Sequence, residues 1–233
     1  MVRQIAYTNS KCEDLWEMFI TQNRRHCNMP LYMISDKKPD VFGYDDAHIY
    51  ENSEPYYKVW IDALQKFGED YFIYLQEDFV LYADVNQEKI DEYVEFLKNN
   101  PKYSFVRLLK SGQLYDKKLT DTLYEIESTN LNVFAMQATI WRTADYIRLL
   151  DAVRDSKWFE TPVYRDKMIA LNMSGVYHYN GEERGGKHHH NTRVYPYIAT
   201  ALVRGMWDMG EYGPQLGKLL TEYKVDLNKR GII

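Results

Sequence analysis

Tyr71-Phe-Ile-Tyr-Leu-Gln-Glu-Asp-Phe-Val-Leu-Tyr82 is the stretch whose reading decides the fold. The run from Tyr71 to Leu75 is apolar or aromatic and enters Gln76-Glu77-Asp78 without a break, and a second apolar run, Phe79 to Tyr82, follows. A continuous apolar run rich in β-formers reads as a strand covered on both faces of a sheet. Two adjacent carboxylates at its end are costly to bury unless a cation or hydrogen-bond donors compensate. In open α/β sheets, ligands bind in the crevice beyond the carboxyl ends of the strands. Glu77 and Asp78 therefore read as an acidic pair handling a metal or a phosphate, with Asp78 the better ligand. The alternative is an acidic turn between two hairpin strands.

Upstream, Gln4 to Tyr7 reads as a short buried strand that ends in Thr8-Asn9-Ser10. Leu15, Trp16, Phe19 and Ile20 fall at helical spacing, so a helix is expected from Glu13 to His26. Leu31 to Ile34 is a second strand ending in Ser35-Asp36, and the strand, helix, strand order suits a right-handed parallel crossover. Thr8, Asn9 and Asp36 would then share one rim of the sheet, where a nucleotide base or ribose fits. They also read as ordinary loop residues. Lys37 to Asn52 reads as a loop with one short strand. Ser53 is placed to cap a helix carrying Pro55 in its first turn and Trp60, Leu64 and Phe67 on its apolar stripe, ended by Gly68.

Downstream, Asp84 to Asn99 is expected as an amphipathic helix and Tyr103 to Leu109 as the next strand. Arg107 and Lys110 bring positive charge to that strand's end, open to a phosphate role or to plain solvation. Residues 114–130 read as an excursion, Asn132 to Trp141 as a strand, and Thr143 as the cap of a further helix. A short helix from Val163 to Leu171 and a short strand from Val176 to Tyr179 follow. Gly181-Glu-Glu-Arg-Gly-Gly-Lys-His-His-His190 reads as a mobile loop of the kind that closes over ligands. Leu216 to Tyr223 is a terminal helix and Lys224 to Ile233 a polar tail. One domain spanning 1–233 is expected, with 208–233 as its C-terminal helix and tail.

Composition narrows the function. The net charge of -5 argues against a nucleic-acid partner, which needs a basic stripe. Two cysteines fit a reducing compartment without a disulfide framework. No apolar run approaches the roughly 18–20 residues of a membrane span, and the polar start is unlike a signal peptide, so a cytoplasmic protein is expected. The 21 tyrosines suit both a partly wet concave site and a tyrosine-rich core.

The order of elements, with an acidic motif closing a buried strand, resembles the GT-A nucleotide-sugar glycosyltransferases. More narrowly, Tyr74-Leu-Gln-Glu-Asp-Phe79, Ile140-Trp-Arg142 and Tyr195-Pro-Tyr-Ile-Ala-Thr-Ala-Leu-Val-Arg-Gly-Met-Trp207 are similar to segments of uncharacterised glycosyltransferase-like proteins of bacteria and large viruses. The likeness runs from Gln4 to Trp207. It implies a Rossmann-like, mostly parallel α/β sheet flanked by helices, a nucleotide-sugar donor and a hydroxyl acceptor on a glycan, lipid or protein. It implies that Thr8, Asn9, Ser10 and Asp36 lie near the nucleotide. In the family an Asp-any-Asp motif binds Mn2+ or Mg2+, which neutralises the leaving diphosphate. Here Gln76 stands at the first Asp, Glu77 in the middle and Asp78 at the last, so Asp78 carries over as ligand and Gln76 offers at most a neutral oxygen. A C-terminal histidine often adds a ligand, with His178, His188, His189 and His190 as candidates. Inverting members place a carboxylate base well beyond the metal motif, where Glu160 falls, with Asp155 and Asp166 as alternatives. Trp141, Trp158 and Trp207 would supply stacking platforms for sugars. Other readings are a nucleotidyltransferase-like enzyme, against which the glycine-free Tyr7-Thr-Asn-Ser-Lys11 counts, and a degenerate GT-A module that binds glycan or nucleotide without turnover.

Overall fold

The computed structural model describes residues 2–112, 117–156 and 159–233. β1 (Arg3–Tyr7) leads through a short 3-10 turn (Ser10–Cys12) into α1 (Glu13–His26), then β2 (Leu31–Ser35) and β3 (Asp46–Ile49). α2 (Tyr56–Phe67), β4 (Tyr71–Gln76), α3 (Gln87–Asn99) and β5 (Tyr103–Arg107) follow. Next come β6 (Lys117–Lys118), β7 (Leu123–Ile126), β8 (Thr139–Arg142), α4 (Thr143–Ala152), α5 (Thr161–Ala170) and β9 (Ser174–His178). A two-stranded ribbon, β10 (Leu202–Val203) and β11 (Met206–Trp207), precedes α6 (Gly213–Glu222).

Among the described residues nine strands form the main sheet, in the order β3-β2-β1-β4-β8-β5-β9-β7-β6. β1 pairs in parallel with β2 and β4, and β2 with β3, so the opening crossover has the expected sense. β8 runs antiparallel between β4 and β5, which puts β4, β5 and β9 in one direction. Their carboxyl ends therefore open on one rim with those of β1 and β2. This is the mostly parallel, helix-flanked architecture of the GT-A type.

Helix α1 buries Leu15, Trp16, Phe19 and Ile20 as its periodicity predicts. It also buries Gln22 and Asn23, and these need partners. Asn23 exchanges two amide hydrogen bonds with Gln4 of β1, at 2.7 and 3.1 Å, and Tyr195 donates its hydroxyl to the same Gln4. Helix α2 buries Trp60, Leu64 and Phe67 and ends at Gly68, whose φ of 68° is the left-handed conformation that glycine adopts without strain. Ser53 does not cap it, since Pro55 holds the N-cap position and makes no capping bond. Helix α3 starts three residues later than expected, where Asn86 accepts from the Lys89 N–H at 3.0 Å.

Three other expectations change. The strand expected from Asn132 to Trp141 shortens to β8, because the carbonyls of Asn132 and Val133 accept from the Arg107 guanidinium instead of a ladder neighbour. Phe79 to Tyr82 does not fold back on β4. It bonds to the 196–198 segment through Ile198 N–H to Val80 O and Tyr82 N–H to Pro196 O, so the acidic pair closes a strand and is not a hairpin turn. The polar tail is tied down: Trp207 and Ile233 bond backbone to backbone, and Arg230 holds Asp14. Among the described residues no helix is long and apolar enough to cross a membrane.

Candidate nucleotide site

The rim is built where polar side chains meet at strand ends. The Asp36 carboxylate, just past β2, accepts from the Ser10 N–H at 2.6 Å, the Ser10 hydroxyl at 2.8 Å and the Asn52 amide at 3.0 Å. Burial opposes its ionisation, but the bonds from Asn52 and Ser10 outweigh it and hold the carboxyl below its ordinary pKa. Asn9 accepts from the Lys11 N–H at 3.0 Å and so shapes the turn after β1. These residues wall a cavity of 630 Å³, a volume suited to a small ligand. Asn9, Ser10, Lys11, Asp36, Asn52, Glu54 and Gln76 form its polar side. Tyr7, Tyr50, Tyr56, Met136 and Phe159 form its apolar side.

Thr8 faces inward. Its hydroxyl accepts from the Trp16 indole at 2.8 Å and its carbonyl from the Tyr50 hydroxyl at 3.1 Å, so it is a buried brace under the cavity. Beyond Gln76, Glu77 lies among Cys12, Thr8 and Arg230. Burial raises its pKa, and those three neighbours work against the rise. Asp78 is pushed up to about 7, chiefly by burial and then by the Glu77 charge, with the Leu202 N–H at 3.5 Å as an opposing donor. Burial, then Glu77, drives the Cys12 thiol up to about 12, so it stays protonated.

The remaining candidates separate into two groups. Glu160 holds the N-cap position of α5, exposed and beside cavity-lining Phe159. Asp166 is exposed on the same helix and paired with Arg165 at 2.8 Å. Arg107, Lys110 and His188 belong instead to a cluster around the 181–190 loop. Arg107 is 1% exposed and gives its Nη2 to two carbonyls, while no described residue bonds its Nε and Nη1. Burial lowers its pKa to about 10. The Lys110 ammonium sits 4.6 Å from the Tyr179 ring centroid. His188 is exposed, and its N–H donates to Glu211 at 3.2 Å.

The loop itself is packed. Gly185 and Gly186 lie so close to Tyr212 and Glu211 that a Cβ on Gly186 would come within 1.6 Å of the Glu211 carboxylate. His189 is buried, accepts from the Gln137 amide at 3.0 Å and turns Nδ1 to Glu211 at 3.5 Å. Trp141 and Trp207 are core side chains and not sugar platforms, and Trp158 lies outside the described residues. The cavity's aromatic wall comes from tyrosines and Phe159.

Lys11, Asn52 and Phe159 were not singled out from sequence as site residues. They sit on loops without periodicity, and only the position of Lys11 directly after Thr8-Asn9-Ser10 was a signal. A larger recess of 810 Å³ opens between Tyr82–Asp84 and the 180–193 segment. Two of its carboxylates are already engaged, Asp84 by His26 at 2.7 Å and Glu182 by Arg193 at 3.8 Å. The smaller cavity keeps its polar groups at the strand ends, and it is the better candidate.

The three residues expected to hold a divalent cation do not come together: Glu77 and Asp78 follow β4, whereas the His188 N–H donates to Glu211. Among the described residues no three of His, Cys, Asp and Glu group to hold a metal.

No family model matches the chain, and no curated protein matches it in sequence. Solved structures do match in fold. S. aureus TarS 1-349 superposes with a TM-score of 0.51 at 12% identity, covering 99% of this chain and 68% of that one. A cytidylyltransferase from Leptospira borgpetersenii serovar Hardjo-bovis gives 0.50 at 10% identity, covering 97% of each chain. At such identities the likeness establishes the fold alone.

Proposed function

We propose that this protein is a transferase that moves a sugar from a nucleotide-sugar donor to a hydroxyl of a glycan or glycoconjugate. The observation that carries the reading is the cavity beyond β1, β2 and β4, where Asn9, Ser10 and an Asp36 held ionised face an aromatic wall. Asp36 and Asn52 offer acceptors and donors for ribose and base, and Tyr7 or Tyr50 a face for stacking. The nucleotide's diphosphate then points along Lys11 toward Gln76 and the acidic pair. Glu160, beside Phe159, is the base in this scheme: it takes the proton as the acceptor oxygen bonds to the anomeric carbon and the nucleoside diphosphate leaves with the electron pair of the old bond.

A cytidylyltransferase matched over nearly its full length gives nucleotidyl transfer a place as second reading. It would act through the same cavity, although the turn after β1 lacks the glycine-rich phosphate loop usual for that chemistry. A thermal-shift panel of UDP, GDP, CMP and dTDP on wild type and Asp36→Asn is the first test. Stabilisation by one nucleotide, weakened in Asp36→Asn, supports the site, and the matching nucleotide-sugar should then release its nucleoside diphosphate, or CMP from a CMP-sugar, upon adding a glycan. Release of pyrophosphate from a nucleoside triphosphate would establish the second reading instead. No shift with any nucleotide overturns both.

A further inference from the structure

The 810 Å³ recess between Tyr82–Asp84 and the 180–193 segment shares no lining residue with the nucleotide cavity. Its polar groups are also spent differently. Asp84 pairs with His26 at 2.7 Å and Glu182 with Arg193 at 3.8 Å, so most of its charge is matched from within. The uncharged groups are not. Among the described residues nothing bonds the Tyr82 hydroxyl or the side-chain amides of Asn180 and Gln215, all of which line the recess. Asn191 turns its Oδ1 onto Gly185, where a Cβ would come within 2.5 Å of it, and so leaves its Nδ2 for the recess. The frame that carries these groups is fixed by backbone donors. The Tyr82 N–H bonds to the Pro196 carbonyl at 3.0 Å, the Asn191 N–H to the Glu183 carbonyl at 2.8 Å and the Arg193 N–H to the Glu182 carboxylate at 3.2 Å. A site formed in advance loses little to ordering when a ligand enters.

We infer that this recess binds a neutral oligosaccharide. It goes beyond the transfer reaction, because such binding needs neither a donor nor turnover. Sugar hydroxyls are donors and acceptors at once and stand in adjacent pairs. A side-chain amide meets such a pair with its own donor and acceptor, and the recess offers three. Half-buried Tyr82 adds an aromatic body for the C–H side of a ring and a hydroxyl at its tip. An anionic ligand would meet Asp84, Glu182 and Glu183 against the one lining cation, Arg193. A polycation would find two of those three carboxylates already engaged. The volume lies in the upper part of the range of small-molecule sites, roughly 300–1,000 Å³, which favours several linked sugars over one.

The test is an array of neutral, sialylated and sulfated oligosaccharides probed with the amine-labelled full chain, followed by calorimetric titration of the best neutral binder. Asn180→Ala and Gln215→Ala should each weaken that sugar about fivefold. Tyr82→Ala should abolish measurable binding, whereas Tyr82→Phe keeps the ring and loses only the share of the hydroxyl. Asn180 is exposed and Gln215 partly so, and their variants should melt with wild type, which reports an intact fold. Binding confined to sialylated or sulfated sugars overturns the inference, as does neutral binding that all four variants leave unchanged. Uptake of spermine in place of sugar, weakened by Glu183→Gln, overturns it as well. Absence of binding by every neutral sugar overturns it and leaves the nucleotide reading, judged by its own thermal shifts, standing.

Discussion

Asp36 and Glu211 are anchored alike and do opposite things. Each accepts from backbone N–H groups of a neighbouring loop: Ser10 for Asp36, and Lys187 and His188 for Glu211. Around Asp36 the surroundings stay open, and side chains from three loops face a 630 Å³ cavity. Around Glu211, which is 2% exposed, two glycines let the 181–190 loop press onto the carboxylate until no room is left. The same bonding therefore orders a recess in one place and seals a loop in the other. The difference lies in what packs behind the carboxylate, hydrophilic loops or close-fitting glycines. Buried polar clusters are rigid when satisfied and costly when not, so disturbing the sealed region should mainly change stability and disturbing the open one mainly binding.

The largest effect is expected from Gly186→Ala. Its methyl would overlap Glu211 and approach the Glu211 Cα to 2.9 Å, and such overpacking should cost about 3 kcal/mol or more, read as a lower urea midpoint. Unchanged stability would mean that the loop has room to yield. Acid comes next. Burial, aided by the Lys89 charge, pushes His178 down to about 4, and burial also lowers His189. The unfolded chain takes up these protons near pH 6.5 and the folded chain does not, so stability is complete above that value and falls as pH drops toward 4. For His178 the loss amounts to at most about 3 kcal/mol. Urea titrations across this range should slope for wild type and flatten for His178→Gln. Asp36→Asn should cost only about 1 kcal/mol of stability, yet abolish most nucleotide-induced stabilisation. An equal loss in both would dissolve the contrast with Glu211. Lys58→Ala, which breaks exposed pairs to Glu54 and Asp62, should leave the melting temperature within scatter.

The open region was also the more legible one in sequence. Thr8-Asn9-Ser10, Asp36 and Gln76 to Asp78 each terminate an apolar run, and period and polarity suffice to place such residues on one rim. The bounds of α1 and the stop at Gly68 follow from the same local signals. What escaped depends on contacts between distant segments. The insertion of β8 between β4 and β5 is decided by pairing across the sheet and leaves no local trace. Arg107 reads as a rim charge, and only the fold shows it buried among carbonyls. Gly185 and Gly186 of the 181–190 loop suggest motion when read alone, whereas their smallness serves close packing. The bond from Arg230 to the Lys11 carbonyl joins opposite ends of the chain and leaves no local trace.

The clasp between Arg230 and Asp14 spans 216 residues of chain. At ordinary rates of synthesis, about 5–20 residues per second, some 10–40 s separate the emergence of its two halves from the ribosome. During that interval the first βα turn exists without the guanidinium that fixes it. A nascent chain can thus collapse its sheet long before it owns a finished pocket. A truncation at the trailing end would remove the clasp on Asp14 and the backbone bonds to the buried Trp207 together.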